Sequence, residues 1–189
     1  MFNSPVQLLT VERHQDGRGW FAETYNRDRF AVLGIECGFV QDNHSLSKLP
    51  FTVRGLHFQA PPHAQDKLVR CVKGRIFDVA VDVRAGSPTY GGWVGAELTQ
   101  ENGHQLFIPV GFAHAFMTLE PDCEVVYKCS DTYAPQADGG IFWNDPAIGI
   151  EWPLKPEAEV HLSDKDQRQP LLAEFKSPFP YDGRPLSNL

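Results

Sequence analysis

Arg75-Ile76-Phe77-Asp78-Val79-Ala80-Val81-Asp82-Val83-Arg84 is the stretch on which the fold turns. Phe77, Val79, Val81 and Val83 share one parity and Asp78, Ala80 and Asp82 the other, the period of two expected of a half-buried strand. Similar β-rich runs flank it at Phe51–Gln59, Lys67–Lys73, Trp93–Gln100, His104–Pro109, Ala113–Leu119 and Cys123–Cys129. Turn chemistry separates them: Pro61-Pro62, Lys73-Gly74, Gly86-Ser87-Pro88, Glu101-Asn102-Gly103, Val110-Gly111 and Glu120-Pro121-Asp122. Strands at this spacing predict an all-β protein, an antiparallel sandwich, jelly roll or barrel. Helix is scarce: Asn26 fits the cap of a short helix through Phe30 and Leu33 that stops at Gly34, and Ser163 to Asp166 fits a capping box. No repeat or linker divides the chain, so residues 1–189 are read as one domain. A β-core at about 51–130 is wrapped by an N-terminal arm (about 1–50) and a C-terminal segment (about 131–189).

The composition narrows the function. A formal charge of −7 argues against a nucleic-acid surface, which needs clustered Lys and Arg, although a few converging cations still suffice for an anionic ligand. No apolar run approaches the roughly 20 residues that span a bilayer, and the N-terminus lacks a basic segment followed by an apolar one. A cytoplasmic protein without membrane or nucleic-acid partners is expected. Cys37, Cys71, Cys123 and Cys129 form no CxxC pair and no zinc spacing, and are expected to be reduced thiols.

Several polar residues at strand positions admit either a structural or a chemical reading. His57, in Val53-Arg54-Gly55-Leu56-His57-Phe58-Gln59, is a hydrogen-bonded structural histidine or a site residue. Alternation puts Arg54 on the opposite face from His57, so both reach one site only if Gly55 allows a bulge. Lys67 shares parity with Val69 and Cys71, and Tyr127 with Cys123, Val125 and Cys129, which turns Tyr127 inward. His114 follows a tight turn into a strand, and Asp164 fits a first-turn carboxylate complementing a helix dipole. No two histidines alternate on one strand, so no metal is expected.

The chain resembles the dTDP-4-dehydrorhamnose 3,5-epimerase family from about Asp16 to Asp166. The matching blocks are Asp16-Gly17-Arg18-Gly19-Trp20-Phe21-Ala22-Glu23, Val40-Gln41-Asp42-Asn43-His44-Ser45 and Arg54-Gly55-Leu56-His57-Phe58-Gln59. Further blocks are Lys67-Leu68-Val69-Arg70, Phe77 to Arg84, Gly86-Ser87-Pro88-Thr89, Ile108 to Phe116, Tyr127-Lys128 and Asn144-Asp145-Pro146. Ala115 stands where the family often has glycine, and Trp20 where it usually has phenylalanine. The resemblance implies a cupin-type jelly roll, a homodimer and a dTDP-4-keto-6-deoxy sugar as substrate. By the same resemblance His57 is the general base with Asp164 as its orienting partner, Tyr127 the acid on the opposite sugar face, and Lys67 the residue facing the ketone, with His114 nearby. Arg18, Glu23, Gln41, Asn43 and Arg54 are implied as substrate contacts, with Trp143 and Lys165 as further ones.

The chemistry needs such a set. A ketone at C4 acidifies both C3–H and C5–H through one enolate. Inversion then requires a base on one face, an acid on the other, and positive charge where the enolate oxygen forms. A carboxylate beside His57 would fix its tautomer. Because no redox change occurs no cofactor is expected, and no GxGxxG follows a strand. The rival readings are a mono-epimerase acting at C3 or C5 only, and a noncatalytic jelly roll that binds nucleotide sugars.

Overall fold

A computed structural model describes residues 4–189. Twelve strands follow in the order β1 (Gln7–Leu9), β2 (His14–Asp16), β3 (Gly19–Phe21), β4 (Gln41–Ser47), β5 (Val53–Gln59), β6 (Lys67–Lys73), β7 (Arg75–Asp82), β8 (Trp93–Thr99), β9 (Gln105–Ile108), β10 (Phe112–Thr118), β11 (Cys123–Cys129) and β12 (Asp138–Gly140). Two five-stranded sheets, ordered β1-β9-β6-β11-β4 and β12-β5-β10-β7-β8, build an antiparallel jelly roll, and β2-β3 form a separate hairpin. The predicted core strands therefore stand nearly to the residue. The arm adds more than a wrap: β1 and β4 are the two edges of the first sheet.

β4 escaped the sequence reading for a physical reason. Its residues, Gln41 to Ser47, are polar on both parities apart from Leu46, so no apolar alternation marks them. The ladder to β11 is nevertheless complete, from Cys123↔Ser47 to Cys129↔Gln41.

The half-buried reading of β7 is corrected by the structure. Its apolar parity, with Val79 and Val81, packs against Ile141, Trp143, Ile148, Ile150 and Trp152 of the C-terminal segment. Its other parity faces the first sheet, where Ala80 joins Val69, Leu106, Ile108 and Val125 in the inter-sheet core. Asp78 and Asp82 are consequently wholly buried. Asp82 survives burial by holding Arg84, Ser87 and Thr89, and these bonds outweigh desolvation to keep its carboxyl below the usual range.

The helix α1 (Arg27–Val32) forms as predicted: Asn26 Oδ1 accepts from the amides of Asp28 (3.1 Å) and Arg29 (3.2 Å), and Gly34 takes φ +81° just beyond its end. Phe30 and Leu33 lie against Leu9, Ile35, Leu68 and Phe107 on the outer face of the first sheet.

Candidate active site

One end of the inter-sheet space is not filled by core and opens as a cavity of about 470 Å³. The first sheet contributes Lys67 from β6, Tyr127 from β11 and Ser45 from β4; the second contributes Arg54 and His57 from β5 and His114 from β10. The segment 161–166 closes the remaining side, brought there by the amide of Val53 donating to the His161 carbonyl (3.0 Å).

The bulge foreseen at Gly55 is present. On β10, His114 lies opposite His57 and Phe116 opposite Arg54, so an interval of two residues on β10 faces one of three on β5. This is how Arg54 and His57 both enter the cavity. Gly55 adopts φ +128°, and a Cβ there would lie 2.5 Å from both the Ala115 Cβ and the His114 carbonyl oxygen. Only glycine fits this close approach. Arg54 is held towards β4, donating from Nε to Ser47 Oγ and from Nη2 to the Leu46 carbonyl, both at 3.1 Å.

The carboxylate on His57 is Asp166, which corrects the assignment to Asp164. His57 Nε2 and Asp166 Oδ1 are 2.5 Å apart, and the Asp166 side chain is 4% exposed. Asp164 points to solvent at 88% exposure and among the described residues meets only Arg168, at 3.5 Å. Ser163 does cap, accepting the Asp166 amide on its Oγ (3.1 Å), but the Asp166 carboxylate turns to His57 instead of returning to the cap. Burial alone would raise the Asp166 pKa, yet hydrogen bonds from His57 and Ser163 hold it below the usual carboxylate value. With Nε2 engaged, Nδ1 of His57 has no hydrogen-bond partner among the described residues.

Beside it on β10, His114 Nε2 meets both oxygens of the buried Asp78, at 3.0 and 3.1 Å. Burial lowers the His114 pKa and raises that of Asp78, so a neutral imidazole is favoured. Lys67 makes no ion pair among the described residues, and desolvation pulls its amine below the ordinary lysine value. Burial moves the Tyr127 hydroxyl in the opposite direction, upward.

Other implied contacts separate. Gln41 and Asn43 lie on the inward parity of β4, Asn43 opposite Tyr127, with Gln41 Nε2 donating to Asn43 Oδ1 (3.1 Å). Lys165 lines the cavity with its ammonium bound by Asp138. Trp143 is not a contact: it is 7% exposed, packs 5.7 Å from the Trp152 ring, and its carbonyl accepts the Trp152 indole N–H. Arg18 and Glu23 stand outside this cavity. Arg18 is paired with Asp16 in the exposed hairpin, and Glu23 with Arg29 (3.0 Å) beside α1.

Asp166 and Asp78 were missed as site residues. Asp164-Lys165-Asp166 offers two carboxylates whose directions depend on a turn that local sequence leaves undecided, and Asp78 falls on the polar parity of a strand whose pattern predicts only half burial. The one signal for Asp78 was an acid inside an otherwise apolar strand.

A jelly roll with a carboxylate-held histidine on one wall and a tyrosine and a lysine on the other has the layout of an acid–base enzyme that shifts protons across a bound substrate. A family model for dTDP-4-dehydrorhamnose 3,5-epimerase matches residues 4–174. A dTDP-4-dehydrorhamnose 3,5-epimerase of Sinorhizobium fredii is 53% identical over 176 residues, covering 93% of this chain and 89% of that protein. A dTDP-6-deoxy-D-glucose-3,5-epimerase of Legionella pneumophila, solved in complex with dTDP-4-keto-L-rhamnose, superposes with a TM-score of 0.89 at 41% identity, over 94% of each chain. A 3'-monoepimerase of Streptomyces bikiniensis in complex with dTDP-quinovose reaches 0.83 at 34% identity, over 89% of this chain and 84% of that one. The chain belongs to the dTDP-4-dehydrorhamnose 3,5-epimerase family and is an epimerase of the isomerase class.

Proposed function

We propose that the chain converts dTDP-4-dehydro-6-deoxy-D-glucose to dTDP-4-dehydro-L-rhamnose, with His57 as base and Tyr127 as acid. The observation that carries this reading is their placement on opposing sheets, with the cavity between them. His57 Nδ1 takes a proton from the carbon beside the ketone while Asp166 stabilises the imidazolium. Lys67, without an ion pair among the described residues, receives the enolate oxygen, and Tyr127 delivers a proton from the other wall. The tyrosinate is reprotonated and the imidazolium loses its proton through solvent before the second carbon reacts. Arg54 is placed for the diphosphate.

Product formed in deuterated water and read by NMR tests this. Deuterium at both C3 and C5 is expected. Label at one carbon alone establishes the mono-epimerase reading, which the likeness to the Streptomyces bikiniensis enzyme keeps in view; label at neither refutes the chemistry.

The orienting role passes to Asp166. Asp166→Asn is expected to lower turnover by about 10²-fold or more, whereas Asp164→Asn, at an exposed position, stays within about twofold. Equal losses in the two variants would overturn the assignment.

A homodimer is also proposed. Edge strand β4 exposes Leu46, Val40 lies just before it, and the hairpin exposes Trp20 and Phe21. Arg18 and Glu23, being outside their own cavity, serve as substrate contacts only by reaching a partner's. Sedimentation at micromolar concentration should give twice the chain mass; a monomer would refute it. Four free thiols, three of them buried, fit work in the reducing cytoplasm.

A further inference from the structure

The hairpin β2–β3 is a finger that belongs to neither sheet. Its strands pair only with each other, and every residue in them is exposed. A two-stranded hairpin has little stability of its own, so its direction is set where it joins the body. On the β3 side, Gln105 Nε2 donates to the Thr24 carbonyl (2.7 Å). On the β2 side the joint is Arg13. Its Nη1 donates to the Glu101 carbonyl (2.7 Å) and its Nη2 to the Gln100 carbonyl (2.5 Å), both in the turn between β8 and β9. Gly103 in the same turn takes φ +62°, and a Cβ there would lie 2.8 Å from Arg13 Nη2. Arg13 Cζ also lies 4.2 Å from the centroid of the Trp20 ring on β3, and the indole is the best aromatic face for a cation. One side chain thus stitches both strands of the finger to the β8–β9 turn. At the tip, Asp16 orients Arg18, accepting from its Nε (3.1 Å), its Nη2 (2.5 Å) and its amide (2.8 Å).

We propose that Arg13 is a positioning residue that acts across the dimer: by fixing the base of the finger to its own chain, it aims Arg18 into the cavity of the second copy. The inference rests on the reading given above that Arg18 serves a partner's site. Arg13 does not line the cavity of its own chain. Its loss costs order, because an unfixed finger has to be ordered at the moment substrate binds. A contact made equally to substrate and transition state shows in KM and leaves kcat alone. The effect of Arg13 therefore belongs to the partner's cavity, whereas a merely structural arginine would affect the cavity of its own chain.

Steady-state kinetics with dTDP-4-dehydro-6-deoxy-D-glucose test this on mixed dimers purified through two different affinity tags. The Arg13→Met homodimer is expected to raise KM about 5- to 10-fold with kcat within about twofold, and to sediment as a dimer. Pairing an Arg13→Met chain with a His57→Asn chain confines turnover to the cavity of the Arg13→Met chain, which meets the intact finger of its partner. KM there should return to the wild-type value. With both substitutions on one chain and a wild-type partner, the working cavity meets the altered finger, and KM should stay raised. The reverse pattern makes Arg13 a residue of its own chain's site and overturns the proposal. A wild-type KM in the Arg13→Met homodimer overturns it too, as does a monomeric Arg13→Met. Should Arg13→Met not fold, Arg13→Lys is read in the same two pairings, since lysine keeps the charge but lacks the fork that meets both carbonyls. Arg18→Ala in those pairings separates the two layers. If its effect on KM is absent or stays with its own chain's cavity, the reading of Arg18 fails; if it crosses to the partner while that of Arg13 does not, only the role of Arg13 fails.

Discussion

His57→Asn is expected to stop hydrogen exchange at both C3 and C5 of dTDP-4-dehydro-6-deoxy-D-glucose in deuterated water. The variant keeps a polar group near Asp166 but removes Nδ1, the ring nitrogen without a partner, and among the described residues no other unpaired imidazole stands on the β5–β10 wall, His161 lining the cavity from the neighbouring segment. His114 does not substitute for it, because its Nε2 is held by Asp78 and its imidazole, beside His57 on β10, is buried. A general base contributes about 10²- to 10⁴-fold in rate, so the loss should be measurable by NMR of recovered substrate as well as product. Binding should persist, since Arg54 and Lys67 are untouched and both line the cavity independently. Exchange at the wild-type rate at either carbon would mean that the base is another group.

Tyr127→Phe should separate the two halves of the reaction. The ring remains, so its packing against the inter-sheet core and the shape of the cavity are preserved. Only the hydroxyl is lost. His57 still removes a proton and Lys67 still receives the enolate oxygen, but delivery from the opposite wall fails. Substrate protons should therefore exchange with solvent on the original face faster than inverted product accumulates, and epimerisation should fall by about 10²- to 10⁴-fold. Parallel time courses of deuterium uptake and product formation check this. Near wild-type epimerisation would show that water or another side chain supplies the proton.

The legibility of the site followed the physics of each element. Tyr127 and Lys67 were readable because each sits in a run with clear parity, where direction follows from counting. Arg54 and His57 were readable as a pair only by supposing a bulge at Gly55, which the β5–β10 register now shows. Trp143 was misread as a contact because a tryptophan near a motif looks the same in sequence whether it faces a ligand or another ring, here that of Trp152. The choice between Asp164 and Asp166 belongs to the same class, since a turn gives no fixed period from which to infer direction.

Taken by itself, the sequence determined the strand positions of the core, the cap of α1, the fold class and the residue types the chemistry needs. These depend on local steric and hydrophobic patterns that act over a few residues. Tertiary structure alone decided which carboxylate holds His57, that Asp78 is buried behind His114, that β4 is a strand at all, and that Lys165 is already engaged by Asp138. Each of these joins segments far apart in the chain. A polar side chain takes its role from whichever partner the closed sheets bring within hydrogen-bond reach, and residue spacing along the chain does not encode that distance.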